Sequence, residues 1–208
     1  MSPSDRELML RVQAGEHSMF AELVDRFRPR LLRFANSKLG DRSLAEDVVQ
    51  ETFLAVFVSR EKYNPAFAFS TWIWTILLNL CSKAARSPRE SRWRQMKSGS
   101  GEALANHPAP VPSSSAGPQE SEDREELQRW LQDLPDVEAD ALRLRFFGGL
   151  SFDEIAAAME SSVSGAKVRV RRGLERLSAL VRTADHSGLA GSLQNPASNR
   201  DVPPGGDS

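Results

Sequence analysis

The chain of 208 residues contains little of what several classes of protein require. Its one cysteine, Cys81, excludes a disulfide framework and a thiolate metal cluster. Its three histidines are isolated in the sequence, so we expect neither a bound metal nor a catalytic triad. The longest apolar run, from Trp72 to Cys81, is too short to cross a bilayer, and the N-terminus lacks the apolar core of a signal peptide. These absences predict a cytoplasmic protein with no membrane insertion and no cofactor.

Catalytic motifs are also missing. The fragment Gly99–Gly101 is not a phosphate loop, because no strand precedes it and no helix follows it. Carboxylate pairs such as Glu46 and Asp47 are expected on helix exteriors rather than in a cleft. Cys81 is most simply a buried apolar residue, with a redox sensor as the alternative. We therefore predict that the protein is not an enzyme and that it has no catalytic residues.

The charged residues are unevenly distributed, although the net charge is only −1. Residues 1–98 carry +5, residues 99–140 carry −8 and residues 141–183 carry +4. Basic blocks favour a polyanionic partner; the alternative is that solvated helix faces happen to be basic. Low apolar content and Pro/Ser-rich stretches predict a flexible linker at 87–121 and a disordered tail at 183–208. Two folded units remain, at 4–86 and 122–182.

The first unit is predicted to be entirely helical. Apolar side chains recur at helical spacing from Phe20 to Ala35, with a kink or restart expected at Pro29. Gly40 is placed to end this helix. Ser43 with Glu46 three residues later is a capping-box pattern for the next helix.

A third helix follows the loop from Glu61 to Phe69, with Ser70 or Thr71 as its expected cap. This helix is apolar around most of its circumference, which indicates burial. Since no segment of the chain alternates like a strand, the sequence predicts an all-α fold of two small helical domains.

The second unit has the pattern of a helix-turn-helix. A helix starting at Leu134–Pro135 should end at Gly148–Gly149, and Ser151 with Glu154 forms a capping box for a short helix. Ser162 then caps a longer basic helix. In such an arrangement the last helix can enter the major groove of DNA, whereas the alternative is a plain three-helix bundle. The polar side chains that a helical wheel places away from the apolar stripe or on its flanks are Ser164, Lys167, Arg169, Arg171 and Arg172.

Three segments are characteristic in their order and spacing: LGDRSLAEDVVQETFLAVF, FSTWIWTILLNL and LPDVEADALRLRFFGGLSFDEIAAAMESSVSGAKVRVRRGLERL. With these segments, both units together resemble one family, the extracytoplasmic-function sigma factors of the sigma-70 family. The resemblance implies a subunit that directs core RNA polymerase to promoters of a stress or envelope-signal regulon, controlled by an anti-sigma factor. A stand-alone helix-turn-helix regulator and a helical adaptor remain the alternatives.

The resemblance implies that residues 4–86 are sigma region 2, which binds core polymerase and opens the −10 promoter element. Asp47, Gln50 and Glu51 would dock on the polymerase; the alternative is a solvated helix face. For Phe69 and Trp72, the alternative to contact with the −10 DNA is that they are core residues. The residues implied to hold the −10 DNA are Tyr63, Phe67, Phe69, Trp72, Asn79, Lys83 and Arg86.

Residues 122–182 correspond by the same resemblance to region 4, which reads the −35 element. The five outward polar residues of the last helix would contact this DNA, and their alternative role is phosphate contact without sequence reading. The sequence departs from the family at Glu160, where glycine is usual, and at Gly165–Ala166, where Thr-Val is frequent. The acidic linker would thread the polymerase channel, or serve simply as a tether.

Overall fold

The computed structural model describes residues 2–86 and 126–192, and for residues 184–192 it describes the backbone alone. Short 3-10 turns occur at His17–Met19 and Arg60–Lys62. No residue in these ranges lies in a β-strand, and the prediction of an all-α fold with two helical units is confirmed. The predicted linker at 87–121 lies outside the described residues. The α-helices are α1 (Asp5–Gln13), α2 (Phe20–Leu39), α3 (Arg42–Val58), α4 (Phe69–Ala85), α5 (126–132), α6 (Asp136–Phe146), α7 (Phe152–Ala158) and α8 (Val163–Ser192).

The junction between α2 and α3 is set by two capping residues. Gly40 ends α2 with a φ of 68°, as predicted, and its N–H donates to the carbonyl of Asn36. Asp41, rather than the expected Ser43, begins α3, because its carboxylate accepts the Leu44 N–H at 3.1 Å. Ser43 therefore lies inside the first turn, and the predicted capping box there is wrong.

The expected restart of the helix at Pro29 and the expected side-chain cap of α4 are also wrong. Helix α2 continues through Pro29, since Phe27 and Leu31 are both fully buried and hold the helix in place on either side. Helix α4 begins at Phe69 without a side-chain cap. The Ser70 hydroxyl does not cap α4 because it donates to another helix.

The last helix is longer than the sequence pattern indicates. The second unit was expected to end at residue 182, but the backbone of α8 is helical as far as Ser192. The next proline is Pro196, so no proline ends the helix earlier. The remainder of the expected tail, residues 193–208, lies outside the described residues.

Each unit has a packed interior. In the first unit the largest fully buried side chains include Phe27, Phe34 and Trp74, and the Phe34 and Trp74 rings meet edge to face at 5.5 Å. In the second unit, α6 approaches α8 closely at Gly173. A Cβ at this position would lie 2.9 Å from Leu142 Cδ1, so the two helices need glycine there.

The two units also pack against each other. Trp74 of the first unit lies against Gly148 of the second, where an added Cβ would come within 3.0 Å of the Trp74 ring. Arg30 donates to the Gly148 carbonyl at 3.1 Å, and Gln128 donates to the Asn36 carbonyl at 3.2 Å. The apolar cores therefore meet across the boundary between the units.

A buried polar network completes this contact; we call Ser37, Lys38, Asp140 and Arg143 the inter-unit network. Lys38 Nζ lies 2.5 Å from Asp140 Oδ2, and Arg143 Nη1 donates to Asp140 Oδ1 at 3.2 Å. Arg143 also donates to Ser37 Oγ at 3.0 Å and to the carbonyls of Ser37 and Leu131 at 3.3 Å. Burial lowers the pKa of Arg143, although Asp140 opposes that shift.

Candidate functional site

One exposed face of α3 carries the residues that the sequence assigned to polymerase docking. Asp47, Gln50 and Glu51 are exposed, while Phe53 and the rest of the apolar stripe are buried. No described residue forms an ion pair with Asp47 or Glu51 within the ranges 2–86 and 126–183. Their carboxylates are therefore available to a partner.

The same face continues into apolar side chains that sequence analysis missed. Leu54 is 61% exposed and Val58 is 69% exposed. Leu54 follows Gln50 by one helical turn and Val58 follows Leu54 by another, so their spacing was the signal that could have identified them. We refer to Asp47, Gln50, Glu51, Leu54 and Val58 together as the α3 face.

The loop before α4 buries most of its aromatic residues. Phe69 is fully packed, as its core alternative required, and Tyr63 is also buried. The Tyr63 ring lies 5.9 Å from the Phe69 centroid and 5.3 Å from that of Trp72, and its hydroxyl donates to the Phe67 carbonyl at 3.0 Å. Burial raises the pKa of the Tyr63 hydroxyl. Tyr63 and Phe69 therefore support the loop from inside, and their buried rings are not open to a ligand.

Phe67 and Trp72 differ from these two rings. Phe67 is 66% exposed, and Trp72 is half-buried beside Tyr63. Of the aromatic residues assigned to the −10 DNA, Phe67 offers the most open ring.

The polar residues of α4 form a separate surface. Asn79, Lys83 and Arg86 are exposed and line an open groove with Ser82. From Trp72 to Lys83 the helix rises by roughly 16 Å at 1.5 Å per residue. The loop aromatics and these polar groups therefore lie toward opposite ends of α4 rather than in one cluster.

The helix-turn-helix is assembled largely as the sequence predicts. Ser151 and Glu154 form the expected capping box of α7, and Ser162 Oγ accepts the Gly165 N–H at 3.1 Å in the first turn of α8. The turn between them places Glu160 at a φ of 49°, in the left-handed region that favours glycine. This chain has glutamate where the family usually has glycine, so the backbone of the turn is strained at Glu160.

The outward side chains of α8 lie mostly where the helical wheel put them. Ser164, Lys167, Arg171 and Arg172 are exposed, whereas Arg169 is half-buried. Arg171 Nε lies 3.8 Å from a carboxylate oxygen of Glu175, so these two side chains form an exposed ion pair.

An additional cation, missed by sequence analysis, lies beside this surface. Arg145, at the end of α6, and Lys167 both lie over the Phe152 ring, at 5.0 and 5.8 Å from its centroid. The Arg145 guanidinium also donates to the Leu150 carbonyl at 2.7 Å. Arg145 lies outside the last helix, so the helical wheel of that helix could not have identified it.

The first turn of α4 contacts α7 directly. The Ser70 hydroxyl donates to Glu154 Oε1 at 2.5 Å. Burial raises the pKa of Glu154, but the hydrogen bonds from Ser70 and Ser151 outweigh it and leave this pKa below its ordinary value. The two candidate DNA surfaces are thereby held in one packed arrangement.

Within the described ranges, no cluster of three or more His, Cys, Asp or Glu side chains could hold a metal ion. The helices described here include none with the length and apolar character needed to span a bilayer. Cys81 is fully buried, in agreement with its assignment as a core residue.

Two family matches correspond to the two units. The sigma-70 region 2 family matches residues 23–91, and the sigma-70 region 4 family matches residues 124–177. The RNA polymerase sigma factor CarQ of Myxococcus xanthus is 33% identical over 83% of this chain and 95% of its own. The ECF sigma factor SigW of Bacillus subtilis is 26% identical over 82% of this chain and 93% of its own.

Solved structures show the same arrangement of helices. The structure of CnrH in complex with the cytosolic domain of CnrY matches with a TM-score of 0.65 at 24% identity, over 87% of this chain and 99% of the other. The sigma factor RpoE of Bartonella quintana, solved with the anti-sigma factor NepR, matches with a TM-score of 0.58 at 25% identity, over 78% and 96%. With both sigma regions matched in order and relatives covered almost end to end, the chain belongs to the sigma-70 family of RNA polymerase sigma factors, in its extracytoplasmic-function group.

Proposed function

We propose that this sigma factor binds core RNA polymerase through the α3 face. Exposed carboxylates without ion-pair partners among the described residues would meet a basic surface. Leu54 and Val58 would add apolar contact area at the same place, and exposed apolar groups of this size commonly mark a protein interface. Charge complementarity and apolar burial therefore both favour this face as the docking surface.

For the −10 element we propose a divided site along α4. Phe67 would stack on an unpaired base, since a single strand is held by aromatic faces and cationic contacts to its backbone. Lys83 and Arg86 would contact phosphates farther along the strand, with Asn79 beside them. Trp72 would contribute the edge of its half-buried ring, while Tyr63 and Phe69 support the loop from inside.

For the −35 element we propose that α8 enters the major groove. Ser164 and Arg172 would reach base edges, with Arg169 beside them. Lys167 and Arg171 would contact phosphates. Phosphate contacts determine the salt dependence of binding, whereas base contacts determine sequence preference.

The observation that carries the proposal is that one chain exposes an acidic and apolar face on α3 and two separate basic surfaces on α4 and α8. A stand-alone regulator would not need the α3 face, and an adaptor would not need the basic surfaces. We further infer that the chain acts in the cytoplasm as a regulatory subunit without catalysis of its own. The complex of the related Bartonella quintana protein with NepR supports an anti-sigma factor as an additional partner.

Reconstituted transcription tests this function directly. The full chain is added to bacterial core RNA polymerase with a library of genomic fragments, and transcript start sites are mapped. We expect starts at a shared −35 and −10 pattern that depend on the added chain. Starts that do not depend on it would contradict the proposal.

A matched pair of double variants tests the −10 assignment on a fragment identified in this way. Lys83→Ala with Arg86→Ala should reduce permanganate reactivity of the melted DNA more than it reduces polymerase binding. Arg28→Ala with Arg33→Ala removes the same charge from exposed positions of α2 and should leave reactivity unchanged. Equal reactivity in both double variants would refute the role of α4.

A further inference from the structure

The loop that carries Phe67 is tied to α1 by one side chain. Gln13 Nε2 donates to the carbonyl of Arg60 at 2.8 Å and to the carbonyl of Tyr63 at 3.0 Å. Gln13 is half-buried, and it is separated from these partners by about 50 residues of sequence. The amide group of Gln13 therefore holds both ends of the 3-10 turn that opens the loop.

Farther along the loop, the backbone of Phe67 is fixed at both of its polar groups. Its N–H donates to the Asn64 carbonyl at 3.1 Å, and its carbonyl accepts the Tyr63 hydroxyl at 3.0 Å. The Asn64 side chain also accepts the Ala66 N–H at 2.9 Å. Tyr63 therefore links Gln13 to Phe67. Its carbonyl accepts a hydrogen bond from Gln13, and its hydroxyl donates one to the Phe67 carbonyl.

An exposed aromatic ring on a fixed backbone suits the capture of a planar ligand. Binding by a mobile loop would cost conformational entropy, whereas a loop that is already ordered avoids this cost. Both partners of the Gln13 hydrogen bonds belong to this chain, so these contacts order the loop independently of DNA.

We propose that Gln13 is a positioning residue for DNA melting, which keeps the loop from Arg60 to Phe67 in the conformation that stacks the Phe67 ring on an unpaired nucleobase. Helix α1 lies outside the segment matched by the region 2 family, which begins at residue 23. The role therefore belongs to a part of the chain that the family match does not cover. The inference rests on the proposed −10 function of the loop.

The first test needs no DNA and measures hydrogen exchange of the amides at 60–67 in the full chain. Gln13→Met keeps the length and apolar contacts of the side chain but removes both hydrogen bonds, and it should accelerate this exchange about tenfold. Gln128→Met removes a comparable side-chain bond to a carbonyl elsewhere and should leave the loop unchanged. Unaltered loop exchange in Gln13→Met would overturn the proposal, whatever the outcome of the transcription experiments.

The second test is a double-mutant cycle in the holoenzyme, on a promoter fragment mapped by transcription. Gln13→Met should lower the yield of open complex several-fold without altering polymerase binding, and Phe67→Ala should lower it at least as much. Combined with Phe67→Ala, Gln13→Met should have no further effect, because it acts through Phe67. Full additivity of the two losses would overturn the proposal.

A third variant keeps the inference testable if Gln13→Met unfolds α1. Tyr63→Phe removes only the hydroxyl that holds the Phe67 carbonyl and retains the buried ring. It should reproduce the lower open-complex yield while lowering the melting temperature by only a few degrees. A wild-type yield from Tyr63→Phe would contradict the proposed connection between the loop and Phe67.

Discussion

Replacing Asp140 by alanine should separate the two units of the free sigma factor. The Lys38 side chain is 9% exposed and that of Arg143 is 3% exposed, so removing their shared carboxylate leaves two buried cations without an ion-pair partner. Breaking a buried ion pair in this way typically costs about 3–5 kcal/mol.

The expected cost lies at the lower end of this range. In the packed chain Arg143 retains its hydrogen bonds to Ser37 and Leu131, which limits the penalty of losing the carboxylate. A loss of about 3 kcal/mol corresponds to roughly a 150-fold fall in the ratio of packed to separated chains. The isosteric Asp140→Asn should have a smaller effect, since its amide oxygen can still accept one hydrogen bond.

Small-angle X-ray scattering of the full chain measures this change. Asp140→Ala should raise the radius of gyration while circular dichroism shows the same helix content. Asp153→Ala is the matched control, because Asp153 is exposed in the same unit and forms no ion pair with the described residues. An unchanged radius of gyration and an unchanged urea midpoint for Asp140→Ala would refute the stabilising role of the inter-unit network.

Three further predictions concern separate parts of the chain. Glu160→Gly should raise the free energy of unfolding by about 0.5–1 kcal/mol, because glycine adopts a positive φ without strain; an unchanged or lower urea midpoint would contradict this. Asp47→Arg combined with Glu51→Arg should keep the helix content but abolish pull-down of core polymerase, and retained binding by the folded variant would count against the α3 face. Because the pKa of Glu154 is lowered in the folded chain, its stabilising contribution is complete above its ordinary pKa and is lost as the pH falls through the lowered value. Urea titrations between about pH 6 and about pH 3 should therefore show a larger loss of stability for the wild type than for Glu154→Gln, and parallel losses would exclude this linkage.

Local features of the fold followed from the sequence wherever a short-range rule applied. Gly40 ended α2 and the Ser151–Glu154 pair capped α7 as predicted, since both depend on residues only a few positions apart. The choice of Asp41 over Ser43 was missed because both are good capping residues, and the backbone conformation decides between them. Local patterns likewise identified the other helices, but they missed α1 and α5 and the length of α8.

Contacts over long sequence separation could not be predicted in this way. Lys38 and Arg143 lie on helices for which the hydrophobic periodicity predicts one face exposed to solvent. Their burial depends on how the two units pack against each other. The same limit applies to Tyr63, which an aromatic-rich loop suggests as a ligand contact but which fills space beneath its neighbours. In the α3 face, by contrast, Leu54 could have been identified, because it lies outside the buried apolar stripe and one helical turn after Gln50.

The contact between the two units sets a limit on how much of a promoter the packed chain can reach. The −10 and −35 elements are about 25 base pairs apart, which at 3.4 Å per base pair is roughly 85 Å of duplex. Since α4 touches α7 through Ser70 and Glu154, a packed chain can occupy one element but not both. The apparent dissociation constant for a whole promoter is then the intrinsic constant divided by the fraction of separated chains. Asp140→Asn should therefore tighten promoter binding by the free chain without altering any residue assigned to DNA.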